Sequence, residues 1–257
     1  LTMRQPWRLQ ADCCGRYSQL GDLRVNFLDG SKIDPWVGAN CEREWKWRQL
    51  MILKSKTPKY RMSFSTGGLF LNESVAIARL YQELGDWTAV KKAAGEQGAI
   101  PFRKQSSVTR SVREIANRLE VLKVDEIDLL CHGDYADQLA VLWLALCRGY
   151  RFIGEFAVEL LSERFLSFRT HITYDDFNVF YAAKAEWEPE LEAISTSTRE
   201  KLRQILFRFM REAGILNHED HICRALFSPS FMALIAQSDP QELRYFPGAE
   251  LGGQRDA

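Results

Sequence analysis

Hydrophobic and polar positions follow a helical period over most of the chain after residue 69. Leu69, Phe70, Val75, Ile77, Leu80, Tyr81 and Leu84 keep one broad apolar face, and Gly85 interrupts the run. This predicts an amphipathic helix that opens just past Gly67-Gly68. Asp86-Trp87-Thr88 opens a short second helix, to about Ala94. After a loop at 95–101, Ser106 or Ser107 is placed to cap a third helix. Its apolar stripe is Val108, Val112, Ile115, Leu119 and Leu122. Asp125 caps a further turn at 126–130. The run Leu139–Cys147 is apolar on every side, which predicts a central, buried helix. Arg148-Gly149-Tyr150-Arg151 interrupts it. Phe152, Ile153, Phe156, Ala157, Leu160, Leu161 and Phe165 then carry a second long helix, and the two are expected to pack as a core hairpin.

The last third is patterned as clearly. Thr173 is positioned to cap a helix over 174–184, and Pro189 to begin a short one over 189–194. Ser197 and Glu200 have capping-box spacing for a helix to about Ala213, with Leu202, Ile205, Leu206, Phe209 and Met210 as its buried stripe and Gly214 as its terminator. A polar turn at 217–220, a helix over 221–227 and a small β-hairpin are expected next, which is the order of a winged helix. The fold class is therefore mainly all-α, a helical bundle with a winged-helix-like module near its C-terminal end. Residues 1–50 differ from all of this. They hold four of the seven tryptophans (Trp7, Trp36, Trp45, Trp47) and show no sustained period. The expected organisation is an extension over 1–53, disordered or non-native, with Met51 as the natural start. A basic helical module over 54–130 follows, then the core hairpin with its winged-helix-like module over 131–237, and a flexible polar tail over 238–257.

Charge adds an asymmetry that net charge hides. The whole chain is neutral, but residues 51–125 carry six more cations than anions, whereas 126–257 carry eight more anions than cations. Two surfaces with different partners are implied. The six cysteines show no CxxC and no metal-ligand spacing, which indicates reduced thiols and a cytoplasmic location. The longest apolar run is about half the roughly 20 residues of a membrane-spanning helix.

Among possible chemical sites, Ser65-Thr66-Gly67-Gly68 beside Lys59 and Arg61 reads either as a phosphate cradle at a helix start or as a plain turn. It is neither a P-loop nor a dinucleotide fingerprint. His218-Glu219-Asp220-His221 with Cys223 has the residue types of a metal site, but a polar turn explains it better. Asp175 and Asp176 suit a helix N-terminus. No metal, nucleotide, redox or hydrolase signature emerges, so a binder is expected rather than an enzyme, with no catalytic residue and no cofactor.

The segments YRMSFSTGGLFLNESVAIARLYQELGDW, LWLALCRGYRFIGEFAVELLSERF and AKAEWEPELEAISTSTREKLRQILFRFMREAGIL resemble, in order, the BrxA family of BREX bacteriophage-exclusion systems. The resemblance spans about Lys54 to Ala236. It implies an all-helical protein, NusB-like in part, that binds double-stranded DNA, works with other BREX components in antiviral defence and has no assigned catalytic residue. An inner-membrane location, given to some members, is not supported by the length of any apolar run here. On this chain's own residues, the candidate phosphate contacts are Lys59, Arg61, Arg103, Lys104, Arg110 and Arg113 in the basic module. Arg199, Lys201, Arg203 and Arg208 are the candidates on a recognition-type helix, whose polar side also carries Arg211. Tyr60 and Phe64 either flank the sugar-phosphate backbone or pack internally. Two alternatives stand beside DNA binding: an adaptor whose acidic half docks another defence protein, and a NusB-like RNA binder.

Overall fold

The run at 139–147 lies at the centre of the molecule, as its lack of a polar side requires. The structure, a computed structural model, describes residues 60–64, 67–96 and 108–249. These belong to one compact unit, Pro58–Ala257. The extension expected over 1–53, Lys59, most of the 95–101 loop, Ser106, Ser107 and residues 250–257 lie outside the described residues.

Helix α1 (Leu71–Leu84) ends at Gly85, whose φ of 68° suits a residue without Cβ. Helix α2 (Trp87–Glu96) is capped by Asp86, whose carboxylate accepts the Ala89 N–H at 2.8 Å. Helix α3 (Val108–Leu119) packs on both. Helix α4 (Val124–His132) starts where Glu126 accepts the Lys123 N–H at 2.7 Å. Helix α5 (Tyr135–Gly149), capped by Asp134, buries everything from Ala140 to Cys147 and packs against α1, α3 and α4.

The chain turns at Tyr150 into α6 (Arg151–Glu155), which continues through a π-helical stretch (Phe156–Ser162) into α7 (Glu163–Leu166). Gly154 allows close approach here: a Cβ would lie 2.8 Å from the Cys147 carbonyl oxygen. Phe152 and Phe156 then pack edge-on or tilted against Phe177 and Phe180 of α8 (Tyr174–Ala185). Helix α8 opens with a capping box between Thr173 and Asp176, and α9 (Pro189–Glu192) opens on its proline. Helix α10 (Thr196–Glu212) buries Leu202, Ile205, Leu206, Phe209 and Met210 as the spacing predicts. Its cap is Ser195, two residues earlier than the capping-box spacing indicates, because the Ser195 hydroxyl accepts the Thr198 N–H.

The winged-helix order does not form. Residues 221–227 are not helical: the Ile222 N–H donates to Thr170 O (2.8 Å) and the Cys223 N–H to Ile215 O (2.8 Å). Donors committed across the fold cannot also serve an i→i−4 helix. The described residues contain no β-hairpin, only two isolated bridges, His171 with His221 and Leu216 with Ile222. A helix follows instead, α11 (Pro229–Ser238), capped by Ser228 and begun by Pro229. A 3₁₀ helix (Pro240–Tyr245) then packs on α5, where the Trp143 indole N–H donates to Tyr245 O at 2.8 Å and Phe246 is buried. Residues 239–249, a polar tail by composition, are thus part of the packed structure.

Two buried charge clusters join these elements. Arg118 and Glu114 of α3 are almost inaccessible, with side chains 5% and 11% exposed. Arg118 donates to Gly68 O at 2.9 Å and stacks over Phe209, while Glu114 accepts from Arg118 and from the Tyr150 hydroxyl. Burial and the bond to Glu114 push the Tyr150 pKa up to about 12. In the second cluster the Arg148 guanidinium holds Glu126 (2.6 and 2.8 Å) and Glu242 (2.6 Å at both nitrogens), tying α5 to α4 and to the 3₁₀ helix.

Breaking a buried ion pair on one side leaves an uncompensated charge. Arg118→Ala is expected to cost about 3–5 kcal/mol in urea unfolding, and Arg118→Met less than that, because its shape still packs on Phe209. Burial raises the Glu126 carboxyl pKa, but hydrogen bonds from Arg148 and from the Lys123 N–H outweigh it and leave the group below its ordinary value. A lowered folded pKa means that the stabilisation is complete above the unfolded carboxylate pKa, about 4.3, and is lost as pH falls through the folded value. Unfolding measured from pH 7 to pH 3 is therefore expected to show acid destabilisation starting near there. Arg148→Ala should lower stability at pH 7 and flatten that acid limb.

Candidate functional site

The ten candidate cations fall into different environments. Lys59, Arg103 and Lys104 lie outside the described residues. Arg110 and Arg113 stand three residues apart on the exposed side of α3, opposite the buried Val112 and Ile115. Arg61 is also exposed, with its guanidinium 5.9 Å from the centre of the Tyr150 ring. An i,i+4 ion pair of α3 joins Arg118 to Glu114.

The cations of α10 do not form one face. Arg199 and Arg203, one turn apart, turn inward against α8. Arg199 lies over the Tyr181 ring at 5.6 Å, and Arg203 lies over Tyr174 at 4.5 Å and donates to Asn178 Oδ1 at 3.0 Å. Lys201 and Arg208, two turns apart, are exposed on the other side. Arg208 is paired with Glu212 at 2.7 Å, and Arg211 grips Asp220 at 2.7 and 2.9 Å. Arg199 and Arg203 thus act first as packing residues.

The Gly67-Gly68 turn is used internally. The Leu69 N–H, one of the donors that a phosphate cradle would offer, donates to Glu212 Oε2 at 2.5 Å. The carboxylate takes the place of an external anion at the entry to α1. Gly68 permits this, since a Cβ there would stand 3.0 Å from the same oxygen. Ser65 and Thr66 lie outside the described residues. Tyr60 and Phe64 are both buried. Tyr60 bonds to Glu155 beneath the Arg151 guanidinium, and Phe64 packs edge-on against Tyr150 at 5.3 Å. Both aromatics therefore pack internally.

The 217–223 segment is a turn organised by Asn217, whose side-chain oxygen accepts the N–H groups of Glu219 and His221, each at 2.9 Å. Asp220 is committed to Arg211, and no group of three or more His, Cys, Asp or Glu among the described residues is placed to hold a metal ion. His132 pairs with Asp128 at 3.0 Å. One exposed cation that sequence reasoning passed over is Lys92 on α2. Its neighbour Lys91 is tied to Glu120, and a pair of adjacent lysines on a helix always splits between two sides. No helix among the described residues is long and apolar enough to cross a membrane.

Fold and surface together define an all-helical protein with an exposed basic side on α3 and most other arginines spent on packing. A profile of the BrxA family matches residues 58–239, more than half of the chain, and the chain belongs to that family. Over 130 residues it is 26% identical to the BREX protein BrxA of Bacillus cereus (strain H3081.97), a match that covers 51% of this chain and 65% of that protein, just under two thirds of its length. Among solved structures, it is similar to an uncharacterized protein from Magnetospirillum magneticum, with a TM-score of 0.61 and 20% identity over 73% of this chain and 97% of that one. A likeness at that identity shows the fold alone.

The two kinds of α10 cation separate in a stability measurement. Arg203→Ala is expected to cost about 1–2 kcal/mol in urea unfolding, from the lost ring contact and hydrogen bond. Lys201→Ala should stay within about 0.5 kcal/mol of the wild type.

Proposed function

We propose that this chain is a non-catalytic accessory protein of a BREX-type anti-phage defence system, acting in the cytoplasm with other BREX components and binding double-stranded DNA through its phosphate backbone. The observation that supports this most is the exposure of Arg110 and Arg113 three residues apart on α3. Arginine forks suit phosphate oxygens, and contacts of this kind carry no base readout. Two of the four α10 candidates, Arg199 and Arg203, play a lesser part in this reading, since they are held against aromatic rings. Membership of the BrxA family, and the BREX name of its Bacillus relative, support the pathway.

The test is double-stranded DNA binding by the full chain across a salt series, beside Arg110→Glu/Arg113→Glu and Lys201→Glu/Arg208→Glu. Wild-type affinity should fall with salt, with a log–log slope of about −0.9 for each phosphate neutralised. The α3 variant should lose about tenfold or more at fixed salt, and the α10 variant less. Absence of binding at low salt would retire the DNA reading. Preference for an RNA duplex of the same length would favour the NusB-like alternative.

A further inference from the structure

Helix α8 buries one side and leaves the opposite side apolar as well. Phe177, Phe180 and Tyr181 face the core, whereas Val179, Ala182 and Ala183 are exposed, Val179 by 71%. Asp175, Val179, Ala182, Ala183 and Glu186 are spaced so that they form a single outer stripe. A surface helix normally carries polar side chains there. Trp187, 60% exposed, stands just past the helix end. The stripe borders a groove of about 420 Å³ between α8, α9 and the start of α10. Its lining includes the buried Tyr181 and Leu191, the half-buried Ala185 and Ile194, and the exposed Glu186 and Glu192.

Carboxylates outnumber cations around this surface. Asp175, Glu186, Glu190 and Glu192 have no ion pair among the described residues. The cation at the groove, Arg199, is packed over the Tyr181 ring. The alanines let a helix backbone approach closely, the groove accepts apolar side chains, and the carboxylates at its edge select cations.

We propose that this surface docks a basic amphipathic helix of a partner protein, with its apolar side on Ala182, Ala183 and the groove and its Lys or Arg side chains against Glu186 and Glu192. A second copy of this chain is a poor occupant. A two-fold contact would set carboxylates against carboxylates, and the basic helix α3 already buries its apolar side. The inference goes beyond DNA binding and uses a surface of opposite charge.

The experiment is fluorescence anisotropy of a labelled Leu/Lys peptide of about 16 residues, long enough to hold a helix, with leucines at i, i+3, i+4 and i+7, titrated with the full chain. A scrambled peptide of the same composition and a Leu/Glu peptide of the same pattern are the comparisons. Two variants at exposed positions, Ala183→Gln and Glu186→Gln/Glu192→Gln, are checked for unchanged thermal unfolding. The patterned basic peptide should bind about tenfold more tightly than either comparison, and each variant should lose about tenfold. Equal affinity for patterned and scrambled peptides, or for wild type and both variants, would overturn the proposal.

Discussion

The buried pair Glu114–Arg118 is the constraint on which the rest of the structure depends. Two charges on one turn of α3 are taken out of water, and each must be satisfied inside the protein. Arg118 reaches the Gly68 carbonyl and the Phe209 ring, and Glu114 takes the Tyr150 hydroxyl. The entry to α1, the junction after α5 and the end of α10 are therefore held in register by one salt bridge. Phe64, packed between Tyr150 and Phe209, fills the space beside it. Residues 60–64 and 67–70 serve as a clasp around this cluster more than as a ligand cradle.

The same chemistry explains how arginine is divided in this protein. Its planar fork satisfies two carboxylates at once, as Arg148 does for Glu126 and Glu242, and it stacks on rings, as Arg151, Arg199 and Arg203 do. Cations held in this way are poor candidates for a nucleic-acid surface, because moving them would uncover buried carboxylates or aromatic faces. Arg110 and Arg113 of α3 are exposed. The acidic half of the chain is likewise divided: Glu126, Glu155, Glu242 and Glu188 face internal cations, while Asp175, Glu186 and Glu192 near α8 and α9 are exposed. On the function and the docking surface proposed above, the basic side of α3 would meet DNA and the acidic, apolar side of α8 a protein component.

Several errors of the sequence reading have one source, which is that a local signal was read without its competitors. The Ser195-Thr196-Ser197-Thr198 run offers four hydroxyls, and which of them caps α10 depends on where the helix must meet α8. Ser228-Pro229 is a good helix start by its own chemistry, a capping serine followed by a proline at the first position. It was obscured by the expectation of a hairpin at that point. The polar composition of 239–249 outweighed Phe246, which packs against Phe227 and Phe231 beside the Trp143–Tyr245 and Arg148–Glu242 hydrogen bonds.

The sequence by itself determined the helical class, the central place of α5, the stops at Gly85 and Gly214 and the buried stripe of α10. Each of these depends on period, capping or backbone freedom, properties that act within a few residues. Only the tertiary structure decided that Arg118 and Glu114 face inward, that Glu212 closes the entry to α1 across 143 residues of chain, that 221–227 pairs with other segments and not with itself, and that the outer side of α8 is left apolar. A charged side chain on a helix looks the same in sequence whether it meets water, a phosphate or a buried partner. Which of these it meets is set by the distant segment that packs against it, and burial, not residue type, then fixes its energy.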